Sequence, residues 1–167
     1  MKNKLSILVS VLIIALSFGC GDHDDHDHNH DAGHQNTVDE EGCTHIKNGP
    51  FVDVKAGNTA TLATEIKSDH KAYRVTLLGQ TGYVEYKASE KGELLIFVDQ
   101  SINITLKDDM GTEVSPEKKE SSIKACVEVK NKYTFDLDTV GIYTLILSSN
   151  STTKVTLVLE LDDGHNH

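Results

Sequence analysis

Between Asp22 and His34 the chain carries His23, His26, His28, His30 and His34, interleaved with Asp22, Asp24, Asp25, Asp27 and Asp31. Neutral imidazole suits Zn, Cu and Ni, and neighbouring carboxylates add oxygen ligands while lowering the local potential. Short spacings let a flexible segment wrap several groups round one ion, with His23, His26, His28, His30, His34, Asp24 and Asp27 as candidate ligands. The C-terminus repeats the theme in Asp162-Asp163-Gly164-His165-Asn166-His167. Because domain termini often lie close together, His165 and His167 are expected to serve the same ion. Binding of this kind discriminates poorly between Zn and Cu, and its affinity is moderate because the chain must be ordered. Protonation of the imidazoles near or below about pH 6 is expected to release the ion. The competing reading is a polar spacer, but a spacer needs only charge, or Gly and Ser, and does not call for His at this density.

The element that positions this segment is the stretch before it. Lys2 and Lys4 lead an apolar run from Leu5 to Phe18, too short to span a membrane but matching the charge, length and small-residue ending of a secretory signal. The expected organisation is a signal peptide over 1–19, a disordered His/Asp-rich tether over 20–42, a folded domain over 43–163 and a His-containing tail over 164–167. Loss of Lys2 and Lys4 moves the formal charge from −10 to −12, and eight of the acidic residues fall between Asp22 and Glu41. The rest of the chain has no basic patch, which argues against nucleic acid as a partner.

The ending Leu16-Ser17-Phe18-Gly19-Cys20 resembles the lipobox of bacterial lipoproteins, although Ser17 stands where that family usually has Leu. The resemblance implies lipidation of Cys20, attachment to a membrane of the cell envelope and exposure of the body to the periplasm or the surface. Cleavage by the ordinary signal peptidase after Ser17-Phe18-Gly19 is the alternative, and leaves Cys20 unmodified.

Export places the remaining thiols in an oxidising compartment, where Cys43 and Cys126 form an even pair. A disulfide between them closes a loop of about 83 residues and contributes on the order of 4–5 kcal/mol. If both stay reduced, Cys43, His45, His70 and Cys126 offer a second metal-ligand set. In Ile123-Lys124-Ala125-Cys126-Val127-Glu128-Val129 the alternation sets Ile123, Ala125, Val127 and Val129 on the apolar face. Cys126 then falls on the outer face, with Lys124 and Glu128.

The body reads as all-β. Runs rich in β-branched and aromatic residues predict strands over 51–55, 59–66, 71–78, 82–88, 93–99, 102–107, 123–130, 132–137, 141–148 and 154–161. No stretch shows a helical period, and only Glu117–Ser122 suggests a helical turn. Ile102, Ile104 and Leu106 alternate with Asn103, Thr105 and Lys107, as do Val155, Leu157, Leu159 and Leu161 with their neighbours, so those strands should be covered on one side. Leu94–Val98 is apolar throughout, as in a central strand. Gly141-Ile142-Tyr143, following Leu137-Asp138-Thr139-Val140, resembles a tyrosine corner. The expected architecture is an antiparallel β-sandwich, Greek-key or jelly-roll-like, of about 8–10 strands with disordered tails. The punctuation from Gly92 to Tyr143 is similar to that of bacterial pre-peptidase C-terminal domains, a resemblance that implies a non-catalytic module.

No Gly-x-Ser-x-Gly, His-Glu-x-x-His or phosphate loop occurs, and the body holds only His45 and His70 as imidazole bases, so an enzyme is not expected. The reading is an envelope lipoprotein that binds Zn or Cu through its termini for sequestration, or for delivery to a metal transporter or other envelope protein. The alternative is a structural, adhesive or ligand-binding sandwich on a polar tether.

Overall fold

The computed structural model describes residues 30–162, with side chains from Thr37 onward. The signal segment, Cys20, His23, Asp24, His26, Asp27, His28, His165 and His167 lie outside the described residues.

Two sheets face each other. In chain order the elements are α1 (His30–Asn48), β1 (Phe51–Lys55), β2 (Thr64–Ile66), β3 (Ala72–Thr76), β4 (Thr81–Ala88), β5 (Gly92–Val98), β6 (Asn103–Lys107), β7 (Glu113–Val114), β8 (Lys118–Glu120), β9 (Asn131–Leu137), β10 (Gly141–Ser148) and β11 (Lys154–Asp162). The six-stranded sheet runs β1-β3-β11-β5-β9-β8 and the five-stranded sheet β2-β4-β10-β6-β7. Only β6–β7 and β8–β9 join consecutive strands within a sheet, so the other strand connections cross between the layers. Because β2 leaves for the opposite sheet, β3 returns beside β1 in the same direction. The pairs β1–β3 and β2–β4 are therefore parallel, a departure from the wholly antiparallel expectation.

Alternation fills the space between the sheets. Ile104 and Leu106 of β6, Leu145 and Leu147 of β10 and Leu157 and Leu159 of β11 are buried together with Leu94, Ile96 and Val98 of β5. The tyrosine corner is present: the Tyr143 hydroxyl donates to the Thr139 carbonyl over 2.7 Å and pins the β9–β10 turn. At Asp108-Asp109-Met110-Gly111 the Asp108 Oδ1 accepts from the Met110 and Thr112 amides, and Gly111 takes a positive φ of 82°.

The outer face of the six-stranded sheet is also covered, by a helix that alternation does not reveal. α1 replaces the expected disordered tether over 30–42 and begins within the His-rich segment. Its contact residues, Val38, Gly42, Cys43 and Ile46, recur at helical spacing in a polar sequence and pack with Ala72, Leu95, Phe97, Val129 and Val158. A Cβ on Gly42 would lie 2.6 Å from the Phe97 ring, so glycine allows the close approach. Leu94–Val98 of β5 is apolar throughout because it is buried on both faces, and the outer face of β11 is covered too, contrary to expectation. Asp39 of α1 pairs with the buried Lys132 of β9.

The segment 123–130 is an irregular loop rather than a strand, and Lys118–Glu120 is strand β8 rather than a helical turn. The Cys43–Cys126 disulfide is present, with Cα atoms 5.9 Å apart, and it overrides the local alternation. Cys126 is buried against α1, whereas Val127 is exposed.

Candidate metal centre

The sequence that ends α1 also aims its last ligand. Asn48-Gly49-Pro50 stops the helix: Gly49 adopts a left-handed φ of 74°, and its N–H donates to the His45 carbonyl over 2.9 Å. The His45 Nδ1 lies 3.0 Å from the Gly49 carbonyl oxygen. A carbonyl can only accept, so Nδ1 carries the proton and Nε2 is left with its lone pair. One turn earlier, Glu41 reaches the same place, with its Oε1 3.9 Å from His45 Nε2.

His70 comes from the β2–β3 connection in a left-handed conformation, φ 56°, uncommon for a residue with a side chain. Its neighbours hold the loop: Asp69 accepts from Lys71 Nζ at 2.6 Å and from the Tyr73 hydroxyl at 2.8 Å. Burial raises the Asp69 carboxyl, but those two hydrogen bonds, with the charge of Lys71 and a backbone hydrogen bond, outweigh it and keep it below the ordinary value of 3.8. Burial, with the bond to Asp69, pushes Tyr73 up to about 12. His70 Nδ1 lies 3.0 Å from Glu41 Oε1 and 3.4 Å from Glu160 Oε2, and its ring centroid is 5.8 Å from that of His45.

Glu160 supplies the floor. It stands on the outer face of β11 in register with Leu95, where α1 covers it. Its Oε1 is buried without a hydrogen-bond partner. Burial drives its carboxyl from 4.5 up to about 6; His70 opposes the rise and Glu41 adds to it. A carboxylate stripped of water and left short of donors is costly.

The expected set Cys43, His45, His70 and Cys126 is therefore corrected. His45 and His70 do meet, but Cys43 and Cys126 are bonded to one another and have no thiolate to offer. Glu41, His45 and His70 present ligand atoms all within 4.8 Å of each other, and Glu160 lies against His70. Sequence reasoning missed Glu41, counted among the tether acids, and Glu160, taken as solvent-facing. The available signals were the i, i+4 spacing of Glu41 and His45 and the Glu embedded in Val158-Leu159-Glu160-Leu161. His30 and His34 fall within α1.

A second opening, of about 290 Å³, is lined by Ser, Asn, Lys and Ile side chains including Ser101, Asn103, Lys119 and Asn131, and offers no aromatic platform for a sugar. The chain matches no protein-family model and no curated protein.

Proposed function

We propose that this is an exported, lipid-anchored protein of the bacterial cell envelope that holds a divalent transition metal, Zn(II) or Cu(II), for sequestration or delivery rather than for catalysis. The observation that carries the reading is the convergence of Glu41, His45 and His70, with the buried, under-paired Glu160 against His70. The His/Asp-rich segment that precedes α1 in the sequence, and the His165/His167 tail, hold further residues of the same ligand chemistry. Lipid at Cys20 keeps the ion at a membrane, where a transporter or another envelope protein can receive it.

Calorimetric titration of the mature chain, residues 20–167, with Zn(II), Cu(II) and Ni(II) tests the metal reading. Uptake at micromolar concentration or tighter is expected, and no uptake of any of the three refutes it. Mass spectrometry of membrane-extracted protein tests the anchor: acyl chains on Cys20 support it, and an unmodified Cys20 in a soluble fraction overturns it.

A further inference from the structure

We propose that Glu41, His45, His70 and Glu160 form one preorganised, four-ligand Zn(II) site that joins α1 to the six-stranded sheet and is independent of the His-rich termini. The inference rests on the metal-binding reading above and names where, within the folded body, a single ion sits.

Geometry is the first argument. Zn(II) bonds of about 2.0–2.2 Å to N and O in a tetrahedral arrangement set ligand atoms roughly 3.3–3.5 Å apart. Three of the six separations, 3.0 Å for His70–Glu41, 3.4 Å for His70–Glu160 and 3.9 Å for His45–Glu41, bracket that value; Glu160 lies outside the set of ligand atoms within 4.8 Å of one another, so its carboxylate must turn toward Glu41 and His45 for all four to bind. Preorganisation is visible in the parts already fixed. The bond of His45 Nδ1 to the Gly49 carbonyl is the outer-shell contact that orients a ligating imidazole through its other nitrogen. The Asp69–Lys71–Tyr73 bonds hold the loop that presents His70.

Donor counting is the second. The Nδ1 proton of His45 is spent on the Gly49 carbonyl, and Glu41 Oε1 and Glu160 Oε2 both face His70 Nδ1. His70 cannot satisfy both carboxylates, and Glu160 Oε1 has no donor at all. A dication corrects the deficit: His70 moves its proton to Nε2, Nδ1 becomes a ligand, and two carboxylates with two neutral imidazoles balance the charge. Mixed nitrogen and oxygen donors suit Zn(II) better than Ca(II) or Mg(II), which take oxygen, and better than Cu(I), which seeks sulfur.

Exposure is the third. The Glu160 and His45 side chains are 9% and 15% exposed, whereas Glu41 and His70 are 48% and 64% exposed. Two inner ligands and two outer ones make a site that is built into the fold yet open on one side for exchange.

The test uses the full mature chain with its disulfide intact, in four forms: unsubstituted; with His23, His26, His28, His30, His34, His165 and His167 all changed to Gln; and that tail variant carrying either Glu160→Gln or His70→Gln. Zn(II) titration gives stoichiometry and affinity, and Co(II) absorption gives coordination, because tetrahedral Co(II) absorbs visible light far more strongly than octahedral Co(II). The tail variant is expected to keep one Zn(II) equivalent and a tetrahedral Co(II) spectrum. Each further substitution should weaken Zn(II) binding by more than the roughly 10–100-fold that loss of an outer-shell contact costs, and abolish the tetrahedral bands. If the tail variant takes up no Zn(II) while the unsubstituted chain does, the folded site is refuted and the metal-binding reading survives; if neither takes it up, both fail. Affinity unchanged from the tail variant on adding either Glu160→Gln or His70→Gln also overturns the assignment. His70 is largely exposed, so His70→Gln keeps the test decisive should Glu160→Gln disturb folding.

Discussion

Replacing Glu160 with Gln should make the metal-free protein more stable while depriving it of its ion. Burial raises the Glu160 carboxyl from 4.5 to about 6 in the fold. The native state therefore binds the proton more tightly than the unfolded chain. The contribution of Glu160 to stability is highest where both states are protonated, below about pH 4.5, falls as pH rises through the window from 4.5 to about 6, and stays lower above it. A shift of that size corresponds to about 2 kcal/mol at pH 8. Gln keeps the shape and sheds the charge, but loses the attraction of Glu160 for His70. The expected net gain is about 1–2 kcal/mol, or a rise in Tm of about 2–8 °C. The assay is thermal or urea unfolding in a chelator at pH 8 and at pH 4.5, with the variant's advantage present at the first and absent at the second. Saturating Zn(II) should reverse the order, since an ion at a hundred times its Kd stabilises the unsubstituted protein by about 2.7 kcal/mol. If Glu160→Gln is instead destabilising at pH 8 in chelator, Glu160 is a satisfied partner of protonated His70 and the donor-deficit argument fails.

Other consequences are open to simple measurement. Changing Cys43 and Cys126 together to Ala opens a loop with a sequence separation of 83 and should cost on the order of 4–5 kcal/mol in urea unfolding, with α1 amides losing hydrogen-exchange protection. Gly42→Ala drives a Cβ to 2.6 Å from the fully buried Phe97 ring. Despite the better helix propensity of Ala, it should destabilise by about 1–2 kcal/mol and lower Zn(II) affinity by lifting Glu41 and His45. Tyr143→Phe removes the hydroxyl that donates to Thr139 and should lower stability by about 1 kcal/mol without changing metal affinity, because the β9–β10 turn has no part in the site.

Strands with one buried face could be read from the chain because period-two alternation and burial coincide there. Ile102, Ile104 and Leu106 are buried, and Tyr143 makes the bond its place after Gly141 implies. α1 escaped because little of its attachment comes from apolar periodicity: it has four contact residues in a polar stretch, two glycines, a disulfide and the Asp39–Lys132 pair. The segment 123–130 misled for the opposite reason, since its alternation is real but a covalent bond pulls Cys126 inward. The first of these errors hid the site. Glu160 looks solvent-facing only while nothing covers the outer face of β11, and Glu41 looks like tether charge only while 30–42 is unstructured.

One local feature therefore carries more than its sequence length suggests. The turn Asn48-Gly49-Pro50 ends α1, and the backbone of Gly49 makes two contacts with the same residue: its N–H caps the His45 carbonyl and its C=O fixes the His45 ring. Stopping the helix and choosing the imidazole tautomer are one structural event. The helix C-terminus also bears the negative end of the backbone dipole, which favours a cation beside its last turn. An ion bound by Glu41 and His45 on one side and by His70 and Glu160 on the other would hold α1 across the sheet near its C-terminal end, over the same stretch that the Cys43–Cys126 disulfide and the Asp39–Lys132 pair hold.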